Sequence, residues 1–161
     1  MKAIEFTSLI PECCSEVLDA MYFTTMLGSE VRESLPEELA GRISSDDAPL
    51  SFSLRFVGDI SGRFGVSLDH STARSLAANF LGEDEADVSS GTVAEVVGEL
   101  ANMLCGSVMS RVEGDNKFVL SHPEPASPPS FSSADDLLVS ALETDSGVIA
   151  VWVAVEGDPC R

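Results

Sequence analysis

The segment LSFSLRFVGDISGRFGVSL, residues 50–68, contains the alternation of side chains that decides the fold. In its first half every second residue is apolar: Leu50, Phe52, Leu54 and Phe56. In its second half the same spacing holds for Phe64, Val66 and Leu68. Alternation of this kind indicates half-buried β-strands, and residues 58–62 supply turn-forming glycines between them. The segment predicts an antiparallel pair of strands at Leu50–Val57 and Arg63–Leu68.

Upstream of this pair the pattern changes to a helical one. Apolar residues recur at intervals of three, four and seven between Ser8 and Leu27, with Pro11 in the first turn and Gly28 just past the end. A short strand is predicted at Glu30–Ser34. The stretch Leu35–Pro49 contains prolines, a glycine and polar residues, and is predicted to be a loop.

Downstream, helices come first and strands last. A helix is predicted at Ser71–Leu81, capped by Ser71 and closed by Gly82, and an acidic solvated loop follows at residues 83–87. The remaining predicted segments are a long helix at Thr92–Val112 ending at Gly114, a strand at Lys117–Ser121, a proline-rich loop at Pro123–Pro129, and a hairpin of strands at Asp135–Thr144 and Gly147–Glu156. This order predicts one α+β domain over residues 1–161, with three helices packed on a mainly antiparallel sheet.

The composition narrows the possible partners. The 9 basic and 27 acidic residues give a net charge of −18, which argues against binding to nucleic acid or to an anionic membrane. No apolar run is long enough to span a membrane and the first eight residues do not form an export signal, so a cytoplasmic location is expected. The four cysteines contain no CxxC pair, and His70 and His122 have no metal-ligand spacing. Cys105, within an apolar pattern, is expected to fill the core, and no metal site is predicted.

The long helix carries the side chains that are candidates for catalysis or for binding a partner. One side of its helical wheel is apolar and predicts a core face: Val93, Val97, Leu100, Ala101, Leu104 and Val108. The opposite stripe contains Glu95, Glu99, Asn102 and Gly106, which lie within about 60° of one another. The absence of a side chain at Gly106 would let a partner approach closely there.

Each polar residue of this stripe also has a purely structural interpretation. Thr92 and Glu95 have the spacing of a capping box at a helix start. Glu99 is a good helix former of the type that commonly lies on the solvated face of a helix. Asn102 is a mediocre helix former without a capping role in mid-helix, so local stability does not explain it.

The segment GELANMLCG, residues 98–106, resembles the GELANM-x-x-G signature of the CheC/CheX/FliY chemotaxis phosphatases. The resemblance extends upstream to Gly58-Asp59-x-x-Gly62 and to the helix before the motif, and a family proline is matched by Pro123 or Pro125. A single copy of the motif is similar to CheX rather than to CheC. The family often has Asp or Ser where this chain has Glu95.

The resemblance implies hydrolysis of the aspartyl phosphate of a CheY-like receiver domain. Asn102 would orient the attacking water, Glu99 would bind the receiver's lysine, and Glu95 and Gly106 would contact the partner. The phosphatase itself needs no cofactor, because Mg²⁺ is held by the receiver.

Two other functions stay open from the sequence. If the chain keeps the fold and the docking stripe but does not accelerate hydrolysis, it is a non-catalytic receiver-binding or assembly module. An unrelated hydrolase finds no support in motifs such as GxSxG or HExxH. A homodimer joined through a sheet edge is also implied, with Gly147–Glu156 as the edge strand.

Overall fold

The computed structural model of the chain describes residues 2–32, 49–58, 60–112, 118–126 and 136–156. Within these ranges the elements are α1 (Lys2–Tyr22), β1 (Met26–Arg32), β2 (Leu50–Val57), β3 (Gly62–Leu68), α2 (His70–Leu81), α3 (Ser90–Arg111), β4 (Val119–Leu120), β5 (Glu124–Pro125), β6 (Asp136–Thr144) and β7 (Gly147–Val155). A single 3₁₀ turn, Glu85–Asp87, lies in the exposed acidic segment between α2 and α3.

The seven strands form one sheet in the order β1-β6-β7-β3-β2-β4, with β5 also paired to β2. Every pairing is antiparallel. Among the described residues three helices pack on this sheet, and apolar side chains of β2, β3, β6 and β7 join those of the helices in one buried core. The predicted α+β fold is therefore confirmed.

β2 and β3 have the antiparallel pairing predicted from residues 50–68. Leu50 pairs with Leu68 and Phe52 with Val66, and the pairing continues to Phe56 and Gly62. Phe56, Phe64 and Leu68 are fully buried. The alternation fixes the register here because a slip by one residue would turn these aromatic and aliphatic side chains to the opposite face of the sheet.

The predicted bounds of the first helix, Ser8–Leu27, are wrong. The helix spans Lys2–Tyr22 and includes Pro11 in its interior rather than in its first turn. It ends because Phe23 adopts a left-handed backbone conformation with φ of 48°, and the N–H of Thr24 donates to the carbonyl of Leu18 at 3.0 Å. Gly28, predicted as the stop signal, lies inside β1.

The second helix begins differently from the prediction and ends as predicted. Asp69, not Ser71, is the N-cap, because its carboxylate accepts a hydrogen bond from the N–H of Thr72 at 2.7 Å. Gly82 closes the helix with a left-handed φ of 67°, a conformation that glycine adopts without steric cost.

The strand predicted as a dimer edge is not an edge. β7 lies between β6 and β3 and is hydrogen-bonded on both sides, so it is closed to a second chain. The predicted loop Leu35–Pro49 and the predicted helix end at Gly114 fall outside the described residues, apart from Pro49. None of the helices in the described ranges has the length and hydropathy needed to cross a membrane.

Candidate functional site

The site is built on α3, which begins two residues before the predicted start. Ser89 is its N-cap: the Ser89 hydroxyl accepts from the N–H of Thr92 at 3.2 Å and lies 2.8 Å from the Thr92 hydroxyl. Glu95 therefore lies beyond the capping position, and its interpretation as part of a capping box is wrong. The side chain of Glu95 is exposed and free to face a partner.

The apolar face of α3 anchors the polar stripe. All six predicted core residues are buried to 3% exposure or less, and Val96, Cys105 and Met109 widen the buried face. Burial of about six aliphatic side chains contributes several kcal/mol and holds the helix in one rotational setting. The polar stripe on the other side is thereby given a fixed direction.

That stripe forms one wall of a groove with a volume of about 730 Å³. The α3 wall consists of Ala94, Glu95, Gly98, Glu99 and Asn102. The facing wall consists of Leu120, Ser121, His122, Pro123 and Pro125, and Phe52 of β2 completes the lining. Glu95 and Glu99 are exposed and Asn102 is half-buried. The structure thus brings three of the four predicted stripe residues into one concave surface.

Gly106 is the stripe residue that does not line this groove. Gly106 is half-buried, and a Cβ placed on it would lie 4.0 Å from Cδ1 of Leu120, an ordinary van der Waals distance. Gly98 does line the groove: it is buried, and a Cβ there would lie 3.4 Å from the Phe52 ring and 3.9 Å from Cβ of Pro123. Gly98 belongs to the nine-residue motif, which was the signal that could have identified it.

The acidic side chains of the groove have no counter-charge among the described residues. Arg111 pairs with Glu12 and Glu16 of α1, and Arg55 pairs with Glu156. Neither Glu95 nor Glu99 has a cationic partner within those ranges. A ligand or partner that presents a cation would therefore find two unneutralised carboxylates on one wall of the groove.

Glu99 also lies close enough to the end of α1 to influence Tyr22. Burial raises the pKa of the Tyr22 hydroxyl, and the negative charge of Glu99 raises that pKa further. The Tyr22 ring is fully buried and stacks on Phe80 of α2 with 4.9 Å between ring centroids. Both α1 and α2 also pack against α3.

Metal ligands and the thiol of the motif were the other candidates for chemistry in the described part of the chain. No cluster of three or more His, Cys, Asp or Glu residues there has a metal-binding arrangement. Cys105 is fully buried, and burial raises the pKa of its thiol from 9.0 to about 12, so it is a neutral core residue rather than a nucleophile. The expectation that Cys105 fills the core is confirmed.

Comparison with solved structures defines the class of fold. A chain of the CheX-CheY-BeF₃-Mg²⁺ complex from Borrelia burgdorferi is 16% identical, with a TM-score of 0.72 and coverage of 94% of this chain and 98% of that one. CheX from Desulfovibrio desulfuricans is 17% identical, with a TM-score of 0.71 and coverage of 94% and 99%. FliY from Thermotoga maritima is 14% identical, with a TM-score of 0.59 and coverage of 95% and 86%.

The family follows from the sequence. The profile of the family described as "Chemotaxis phosphatase CheX" matches residues 51–151, which is more than half of the chain. The search of curated protein sequences found no match to this chain. The chain therefore belongs to the chemotaxis phosphatase CheX family, and the resemblance seen in residues 98–106 is confirmed.

Proposed function

We propose that this protein is a cytoplasmic phosphatase that hydrolyses the aspartyl phosphate of a CheY-like receiver domain. The observation that carries the proposal is the position of Glu99 and Asn102, which line one groove on the rigid helix α3. The family membership and the similar fold of a chain from the Borrelia burgdorferi CheX-CheY-BeF₃-Mg²⁺ complex support it.

Asn102 is suited to positioning the attacking water. Its carboxamide both donates and accepts hydrogen bonds and does not change charge near neutral pH. Half-burial of Asn102 between the buried face of α3 and the groove restricts its side chain while leaving it accessible. Holding a water in line with the phosphorus converts a bimolecular encounter into an oriented one, which accounts for large accelerations without a covalent intermediate.

Glu99 is suited to docking rather than to proton transfer. It is exposed, it lies one turn from Asn102, and no described residue neutralises it. A charge-assisted hydrogen bond from a lysine of the receiver would set the register in which Asn102 enters the partner's site. Mg²⁺ held by the receiver would stabilise charge on the phosphoryl oxygens, so the phosphatase needs no metal of its own.

Glu95 extends the acidic wall by one helical turn. Because Ser89 caps the helix, the side chain of Glu95 is not used in capping and points along the same groove. We assign it to partner contact. Gly106 does not line the groove, and this proposal gives it no contact there.

The direct test is to phosphorylate the host's receiver domains with Mg²⁺ and a small phosphodonor and to follow phosphate release with and without this protein. Acceleration of release from at least one receiver supports the proposal. Unchanged release from every receiver, together with phosphorylation-dependent binding to one of them, would instead establish the non-catalytic docking module, which the unusual Glu95 favours.

A further inference from the structure

The wall of the groove that faces α3 contains a β-bulge. Val119 and Leu120 pair with Val57 and Phe56, whereas Glu124 and Pro125 pair with Ser53 and Phe52. Between these two blocks β2 contributes two residues, 54 and 55, and the facing segment contributes three, 121–123. β4 and β5 are therefore one edge strand interrupted by a single extra residue.

Ser121 and Pro123 allow the extra residue at little cost in hydrogen bonds. The N–H of Ser121 donates to the carbonyl of Arg55 at 2.9 Å. The N–H of Arg55 donates in return to the Ser121 hydroxyl at 2.8 Å, so a side-chain oxygen serves as the acceptor at this step. Pro123 has no N–H to satisfy, which suits a position where the ladder is interrupted. The irregularity falls on His122 and Pro123, opposite Leu54.

The bulge turns these two residues toward α3. Both line the groove, and Cβ of Pro123 lies 3.9 Å from the position of a Cβ on Gly98, the residue before Glu99. The side chain of His122 is exposed, and no described residue pairs with its imidazole. Bulges re-aim side chains in this way beside functional sites.

We propose that His122 is a docking residue that contributes to the affinity of the groove for the receiver, an inference that rests on the proposed phosphatase function. On the α3 wall the polar groups include the acceptors Glu95 and Glu99. On the facing wall the Ser121 hydroxyl accepts from the N–H of Arg55 and donates to the carbonyl of His122 at 3.5 Å. The imidazole of His122 is the donor on that wall that no described residue uses. Its imidazole N–H donates to a carbonyl or carboxylate oxygen of the receiver. This contact lies on one side of the phosphoaspartate, and the receiver lysine that donates to Glu99 lies on the other.

Contacts on both walls constrain the rotation of the partner about the α3 axis, which contacts along the α3 stripe alone leave open. His122 is a positioning residue in this account and takes no part in proton transfer. Its loss should weaken association and leave the chemical step intact, because Asn102 and the receiver's own site are unchanged.

The test compares His122→Ala, His122→Gln and His122→Leu in steady-state dephosphorylation of the receiver, with His70→Ala as the control at the only other histidine. We expect the KM for the phosphorylated receiver to rise about fivefold in His122→Ala and His122→Leu, because each variant loses roughly one hydrogen bond to the receiver. The KM of the His122→Gln variant, which retains a hydrogen-bond donor, should stay within about twofold of the wild-type KM. The kcat should be unchanged in all three variants. The control should match wild type.

A wild-type KM in His122→Ala, or in His122→Leu, would overturn the proposal, as would a fall in kcat at unchanged KM. Binding of the receiver loaded with Mg²⁺ and beryllium fluoride, measured by calorimetry, separates this proposal from the proposed function. If wild type binds but does not hydrolyse, the phosphatase assignment fails, while the expected weakening by His122→Ala and its rescue by Gln still decide the role of His122.

Discussion

Gly98 of α3 lies against the aromatic ring of Phe52 from β2, so that a Cβ on residue 98 would be 3.4 Å from two ring carbons. This distance is an ordinary van der Waals contact, and it marks the point where the helix and the sheet approach each other inside the groove. The absence of a side chain at Gly98 lets Phe52 and Pro123 approach α3 immediately beside Glu99.

A graded substitution at Gly98 tests whether the partner docks in the groove at this point. Gly98→Ala should be accepted and should raise the free energy of unfolding by about 0.5–1 kcal/mol, because alanine favours a helix interior. Gly98→Leu extends into the groove and should raise the KM for a phosphorylated receiver by about tenfold or more, a loss near 1.4 kcal/mol of association. An unchanged KM for the leucine variant, with the fold intact by circular dichroism, would show that the partner docks elsewhere.

The outer face of the sheet offers a test of packing. A Cβ on Gly65 of β3 would lie 2.2 Å from the Trp152 ring of β7, which lies across the glycine. Gly65→Ala should therefore force the indole to move and lower the free energy of unfolding by about 1–3 kcal/mol, measured by urea denaturation. Gly28→Ala is the matched control, since nothing lies within 4 Å of a Cβ there, and its effect should stay below about 0.5 kcal/mol.

Buried thiols make stability depend on alkaline pH. Burial raises the folded-state pKa of Cys105 from 9.0 to about 12, so the thiol stays protonated in the folded protein while the unfolded chain loses its proton. The stabilisation from Cys105 is complete below pH 9 and is lost as pH rises toward 12, with a slope of at most about 1.4 kcal/mol per pH unit. Unfolding of Cys105→Ala between pH 8 and 10.5 should show a smaller loss of stability with pH than wild type; identical slopes would contradict this.

The sheet edge at β1 predicts self-association. Among the described residues β1 pairs only with β6, and it exposes Leu27 (68%) and Val31 (47%). A second copy paired antiparallel about Ser29 would place Leu27 of each chain opposite Val31 of the other. We expect a dimer by light scattering at micromolar concentration and a monomer for Val31→Lys. A monomeric wild type, or a dimer unaffected by the lysine, would contradict pairing at this edge.

Local patterns of sequence predicted the parts of the fold that depend on local chemistry. The alternation between Leu50 and Leu68 fixed the register of β2 and β3, because each buried side chain there is defined by its neighbours two residues away. The helical periodicity of α3 likewise placed Glu95, Glu99 and Asn102 on one outward stripe, which the structure places in one groove.

What the sequence did not reveal depends on contacts between distant segments. The central position of β7 follows from pairing with β3, more than eighty residues away, for which the strand itself has no local signal. The bulge at His122 depends on the register between β2 and residues 119–125. The left-handed Phe23 that ends α1 is an aromatic residue at a position where glycine is the usual signal.

The most direct test of the central claim is the rate of receiver dephosphorylation at saturating phosphatase, compared between wild type and Asn102→Ala. We expect a fall of about 10²-fold in the rate for Asn102→Ala with little change in receiver affinity, because the water loses its orientation while Glu99 still docks. Glu99→Gln should show the opposite pattern, weaker affinity with a smaller effect on the saturated rate. A saturated rate for Asn102→Ala equal to that of wild type would contradict the account.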